Sequence, residues 1–144
     1  MHLSKFCDYA LRALMYLGAR PGKVVAASEI AHAFGVSTHH MVKSLQSLCR
    51  QDLVRSVAGR GGGYVFERPP TSVRLGQVVQ GLEPHFHLAE CFAPQADSCP
   101  LTPECGLQHA LGEARDDFID ALDRYTLEDL VHSQQPRLLA IGDP

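Results

Sequence analysis

Apolar residues recur at helical spacing from the start of the chain. Phe6, Ala10, Ala13, Leu14 and Leu17 fall on one face of a helix predicted over about Ser4 to Ala19. Asp8 projects from nearly the opposite face, Cys7 lies near the edge of the apolar stripe, and Pro21-Gly22 ends the helix. Ser28 is a suitable N-cap for a short helix over Glu29 to Phe34. Gly35 suits the left-handed backbone at that helix's end, and Ser37 then caps a longer helix from Thr38 to about Gln51. Helix, three-residue turn and helix form a helix-turn-helix over about 28–51. In its second helix Met41, Val42, Leu45, Leu48 and Cys49 share the apolar face, while His39, His40, Lys43, Ser47 and Arg50 take the other.

The period then changes. Leu53 to Val57 and Tyr64 to Phe66 flank the basic, glycine-rich tip Ala58-Gly59-Arg60-Gly61-Gly62-Gly63, which predicts a β-hairpin wing over about 53–66. Pro69-Pro70 punctuates the chain and a brief helix follows from about Gly76 to Leu82. Residues 83–104 show no clear period and are rich in Pro, His and Cys. Helical spacing returns from Gly106 to Leu122, where Leu107, Ala110, Leu111, Ala114, Phe118, Ala121 and Leu122 make an apolar face that needs a partner. Thr126 with Asp129 forms a capping box opening a last short helix through Val131. The expected fold is mainly α with a small β-hairpin wing. A winged helix-turn-helix occupies 1–70, a connecting helix and cysteine loop 71–105, and a long dimerisation helix with a C-terminal segment 106–144.

Composition sharpens this picture. At 144 residues and 45% apolar, the chain can build a core without disulfides. Five cysteines, an odd number, point to thiols or metal ligands in a reducing compartment. No run reaches the roughly 20 apolar residues of a membrane span, and no signal-peptide stretch opens the chain, so a soluble cytoplasmic protein without a membrane partner is expected. The net charge of -3 conceals a division: residues 1–74 hold ten Lys/Arg against four Asp/Glu, and residues 75–144 hold three against twelve. The basic half is the one suited to a polyanion.

A recognition helix presents its first turns to base edges in the major groove. Here those turns carry Thr38, His39, His40 and Lys43, while Ser37 and the first backbone N–H groups suit a phosphate. Lys donates to guanine acceptors, and neutral His both donates and accepts. Arg60, among glycines that let backbone approach closely, suits phosphate or the minor groove. Double-stranded operator DNA is the expected partner; ordinary solvated surface residues, or a protein-contact module, are the alternatives.

Cys91, Cys99 and Cys105 are separated by seven and then five residues in an irregular loop, where thiolates can bend around one soft metal centre. Structural zinc sites use tighter Cys pairs, whereas wider spacing suits an iron–sulfur cluster. Free thiols or a regulatory disulfide are the other readings.

The chain resembles the winged-helix iron–sulfur regulators, the family that includes IscR and NsrR. The likeness runs from Leu3-Ser4-Lys5-Phe6-Cys7-Asp8-Tyr9-Ala10-Leu11-Arg12-Ala13-Leu14 through Gly61-Gly62-Gly63-Tyr64 and Leu82-Glu83-Pro84 to Tyr125-Thr126-Leu127-Glu128-Asp129-Leu130-Val131. Cys99-Pro100-Leu101-Thr102-Pro103-Glu104-Cys105-Gly106-Leu107 is similar to the nitric-oxide-sensing branch. IscR-like members place a His three residues after the last cysteine; here Gln108 stands there and His109 follows. Many members carry an arginine where this chain has Ala58, which leaves wing contacts to Arg60 and Arg55.

The resemblance implies a homodimeric repressor whose [4Fe-4S] cluster (alternatively [2Fe-2S]) is held by Cys91, Cys99 and Cys105. It further implies that Asp8 of the other subunit is the fourth ligand, and that nitric oxide releases the operator. Cys7 and His109 are rival ligands, and an ion pair with Arg12 is the ordinary role for Asp8. A redox or iron-status sensor of the same family is one alternative function, and a zinc-stabilised protein-interaction module another. No nucleophile–base motif, nucleotide loop or paired catalytic carboxylates point to an enzyme.

Overall fold

Helix α1 (Lys5–Gly18) begins where the Ser4 hydroxyl accepts the Cys7 N–H at 3.1 Å, which satisfies a donor left free by the helix geometry. The computed structural model describes residues 2–83, 86–93, 99–101 and 104–141. Cys7, Ala10, Ala13, Leu14, Tyr16 and Leu17 of α1 are fully buried, against α3 (Thr38–Arg50) on one side and α6 (Leu127–Ala140) on another. At Gly18 a Cβ would come within 3.1 Å of Leu127 and 3.2 Å of Val131, so the missing side chain permits the close crossing of α1 and α6.

Helix α2 (Ala27–Ala33) starts earlier than its sequence predicts: Ala26, not Ser28, is at the N-cap, and no side chain caps it. The cause lies far away in sequence. Val25 forms a bridge to Tyr64, with N–H···O distances of 2.9 and 2.8 Å, and the helix begins as soon as that bridge is complete. Gly35 adopts φ +63 at the turn, as its position predicts. Ser37 stands at the N-cap of α3, but its hydroxyl makes no capping bond.

Helix α3 buries a wider face than expected because α1 and α2 both pack on it. Met41, Leu45 and Leu48 are in the core, and so are Ser44 and Ser47; the assignment of Ser47 to the polar face is thereby corrected. Ser44 meets its polar need by donating to the Phe6 carbonyl at 3.2 Å. Val42 and Cys49 lie half-buried at the rim of that face.

The hairpin pairs β1 (Arg55–Val57) with β2 (Gly63–Val65) antiparallel, in the register Arg55↔Val65, Ser56↔Tyr64, Val57↔Gly63. It is shorter than the apolar run, since Leu53 and Val54 serve as core residues in the preceding turn and Phe66 as one beyond the strand. Helix α4 (Leu75–Leu82) packs on α5 (Gly106–Asp123), and a short 3₁₀ turn covers Glu90–Phe92. No residue of α5 is fully buried.

The Thr126–Asp129 capping box is present, with the Thr126 N–H donating to Asp129 at 2.7 Å and the Asp129 N–H to Thr126 at 3.3 Å. Helix α6 nonetheless runs to Ala140, well past Val131 and through Pro136. Leu138 explains the extension: it is buried, so packing in the last turn offsets the hydrogen bond that proline cannot make. Among the described residues no helix is long and apolar enough to cross a membrane.

Candidate nucleic-acid interface and thiol loop

Ser37, Thr38, His39, His40 and Lys43 are all exposed on the first two turns of α3. No acidic residue sits in the first turn, so the positive end of the helix dipole stays unopposed. At 100° per residue His39, Lys43, Gln46 and Arg50 form one outward stripe, and each is exposed. Gln46 is a base-reading candidate absent from the expectations above; its spacing of seven from His39 and three from Lys43 was the available signal. His40 sits at the edge of this stripe, its ring 6.3 Å from that of Tyr9 and 5.9 Å from that of His39.

At the wing tip Gly59 and Gly61 have φ +93 and +77, and exposed Arg60 stands between them. Arg55 is exposed on β1. Its guanidinium makes a two-pronged pair with Glu67 at 2.9 and 2.8 Å, and the hydrogen bond from Arg55 lowers the Glu67 pKa.

The three loop thiols are each half-buried. Cys91 lies in the 3₁₀ turn and Cys105 at the N-cap of α5. The Gln108 amide donates to the Cys91 carbonyl at 3.1 Å, tying the turn to the first turn of α5. This is the position where IscR-like members place a His, and here it bonds backbone. Among the described residues no three His, Cys, Asp or Glu side chains stand together as a metal site. Pro94–Ser98, Thr102 and Pro103 of the cysteine segment, and Pro84 of the Leu82-Glu83-Pro84 stretch, lie outside the described residues. By donor type the set suits a soft centre: three partly accessible thiols, of which Cys105 stands at the start of α5 and Cys91 is tied to that start through the Gln108 amide.

Asp8 forms a two-pronged pair with Arg12, at 2.9 and 2.8 Å, within the same helix. His109 is exposed, 3.7 Å from Glu113. Cys49 is half-buried and burial raises its thiol pKa. Cys7 is enclosed completely; burial first, then the Glu83 and Asp8 carboxylates, push its thiol up to about 12.

A thiol so placed is unreactive. Alkylation of the folded, metal-free protein with iodoacetamide at about pH 8 is expected to label Cys91, Cys99 and Cys105 and to spare Cys7 until the chain unfolds. Peptide mass spectrometry reads the pattern, and early labelling of Cys7 would contradict its burial. Because the folded-state pKa lies above the ordinary 9.0, the stability Cys7 contributes is intact below that value and falls as pH rises toward 12.

Residues 3–133 match the Rrf2 family, described as an iron-dependent transcriptional regulator. CymR, the global cysteine regulator of B. subtilis, is 26% identical with a TM-score of 0.70, over 92% of this chain and 98% of that one. The oxidised form of Staphylococcus aureus CymR is 24% identical with a TM-score of 0.71, over 91% and 96%. IscR from T. potens is 22% identical with a TM-score of 0.72, over 92% and 88%. The last two likenesses speak to the fold alone, and that fold is a winged helix with six helices and one two-stranded hairpin among the described residues. With nearly its whole length matched and its architecture shared, the chain belongs to the Rrf2 family of transcriptional regulators.

Proposed function

We propose that the chain is a repressor that binds operator DNA as a homodimer, holds an iron–sulfur cluster on Cys91, Cys99 and Cys105, and releases DNA in response to nitric oxide. The observation that carries the DNA reading is the exposed stripe His39, Lys43, Gln46 and Arg50 on α3, beside Arg60 on a tip of positive-φ glycines. The stripe serves base edges and Arg60 the backbone or minor groove.

The dimer reading rests on α5. Leu107, Ala110, Ala114 and Ala121 are spaced by three, four and seven residues, an exposed heptad-like stripe, while Phe118 beside them packs on Phe86 and the chain's own core. Leu107 is 68% exposed and Ala110, Ala114 and Ala121 are exposed with it, so a second α5 is the natural cover. Two copies paired along α5 would set two recognition helices about one DNA turn apart.

The Cys91, Cys99 and Cys105 thiolates would hold the cluster at the root of that helix, with Asp8 of the other subunit as the fourth donor once its pair with Arg12 opens. When bound, the cluster supplies iron that nitric oxide can coordinate. Cys105 stands at the N-cap position of α5 and Gln108 ties the Cys91 turn to it, so a change in thiol ligation would act at the start of the helix that spaces the dimer.

The test uses anaerobically reconstituted full-length protein and a duplex enriched from a random-sequence library. Iron and sulfide are expected in the wild type, with operator binding that nitric oxide abolishes. Joint alanine substitution of Cys91, Cys99 and Cys105 is expected to remove the iron and the nitric-oxide response while the circular dichroism stays helical. Full operator affinity and an intact response without iron would overturn the sensor reading. The description of the family as iron-dependent favours one second reading, an iron-status or redox sensor. Faster DNA release on iron depletion or superoxide than on nitric oxide would select it. Zinc without sulfide, and no salt-sensitive duplex binding, would instead mark a zinc-stabilised protein-interaction module.

A further inference from the structure

Lys5, Phe6, Tyr9, His40, Lys43 and Ser44 line a groove of about 310 Å³ between the first turns of α1 and α3. Half-buried Phe6 and Tyr9 contribute its aromatic wall, and the exposed residues Lys5 and Lys43 bring one ammonium group from each helix. No carboxylate is among the lining residues. The two acids nearest along the packed elements have other partners: Asp8 is held by Arg12, and Glu83 accepts the Ser4 N–H at 2.8 Å. Glu83 therefore already occupies the α1 terminus, and any anion preference in the groove comes from its side chains.

The frame is braced. Ser44, fully buried on α3, donates to the Phe6 carbonyl of α1 at 3.2 Å, and the Tyr9 ring rests beside His40. Positions of Lys5 and Lys43 are thus set by the same α1–α3 contact that sets the recognition helix. His40 and Lys43 also border the outward stripe of α3, so groove and stripe form one continuous surface.

We propose that this groove holds a DNA backbone phosphate at the edge of the major groove, with Lys5 and the Tyr9 hydroxyl of α1 as its ligands beside Lys43. The proposal rests on the reading of α3 as the recognition helix, and it makes α1 part of the DNA-binding surface. Two lysines lining one groove without a carboxylate match the charge of a phosphate diester; the groove adjoins the first turns of α3, and phosphate contacts fix register without reading sequence.

The experiment compares wild type, Lys5→Gln, Lys5→Arg, Tyr9→Phe and His39→Ala as full-length protein, on the selected duplex and on an unrelated duplex, over a series of salt concentrations. Lys5→Gln is expected to weaken both duplexes by a similar factor, roughly five- to tenfold, leaving their ratio unchanged. It should also flatten the dependence of log affinity on log salt by about 0.9 per lost phosphate contact, so by about twice that for a dimer. Lys5→Arg should restore the slope, and Tyr9→Phe should lower affinity for both duplexes without changing the melting temperature. His39→Ala should instead reduce the ratio between the duplexes. An unaltered salt slope in Lys5→Gln, with His39→Ala still losing discrimination, overturns the groove proposal and leaves the recognition helix standing. Absence of salt-dependent binding in the wild type overturns both.

Discussion

Alanine at Gly63 is expected to cost about 3 kcal/mol of stability and to lower the melting temperature by about 10 °C, because extra atoms forced into a tight contact strain the backbone. A Cβ at Gly63 would lie 2.6 Å from the carbonyl carbon of Val25 and 3.0 Å from the Ala26 nitrogen, and nearer still to the Val25 oxygen. All three are backbone atoms, so no rotamer change relieves the clash. Two of them belong to Val25, whose bridge to Tyr64 joins β2 to the segment leading into α2, and Val25 is fully buried. Either the hairpin shifts outward or α2 loses its starting point. Both movements change the position of Arg60 relative to α3, so operator affinity should fall along with stability. Gly59→Ala and Gly61→Ala are the controls: nothing lies within 4 Å of a Cβ at either, and only the positive φ opposes the change, at about 1–2 kcal/mol each. Thermal denaturation of the three variants decides the matter. A Gly63→Ala protein that melts with the wild type would show that β2 does not press on Val25.

The second large effect is expected at Gly76, where α4 crosses α5. A Cβ there would stand 2.6 Å from the Ile119 carbonyl oxygen and 2.6 Å from the Asp123 carboxyl carbon. Asp123 already accepts the Gln77 N–H at 3.0 Å, so its side chain is held in place as well. Gly76→Ala is expected to push α5 off α4 and to cost about 2–3 kcal/mol by overpacking. Adding Asp123→Ala should recover only part of the loss, since the Ile119 carbonyl is main chain and stays in the way. Gly81 on the same helix offers the contrast: a Cβ there meets only the side chain of Gln51, which can swing aside. Denaturant midpoints of Gly76→Ala, its double variant and Gly81→Ala measure the ranking. A Gly81→Ala protein less stable than Gly76→Ala would reverse the assignment of backbone contact at the crossing. Since α5 carries Cys105 at its N-cap, Gly76→Ala tests how firmly the thiol loop is joined to the DNA-binding part.

Local devices were the readable ones. Gly35 takes its left-handed turn because only neighbours in sequence determine it, and the Thr126–Asp129 box forms within four residues. The long apolar period of α5 ends within one residue of its prediction for the same reason. The candidate DNA face was likewise visible, because exposure on α3 follows from the helical period once the buried face is known. Gln46 shares that face by its spacing from His39 and Lys43, although its side chain carries no charge to mark it. Lys5 and Tyr9 were not readable at all as partners of Lys43, since an approach between residues thirty-odd positions apart leaves no periodic trace.

The amino-acid order by itself determined which segments are helical, where the glycine-rich hairpin turns, and that one half of the chain is basic, since these depend on side chains within a few residues of one another. Tertiary structure alone decided that Ser44 and Ser47 are buried, that α2 starts at Ala27, and that α6 continues through Pro136 to Ala140. Each depends on a surface brought from far along the chain: α1 and α2 against α3, the wing against Val25, the core against Leu138. Burial and long-range hydrogen bonding outweigh a proline or an uncapped helix start because packing supplies most of a helix's stability in a folded protein.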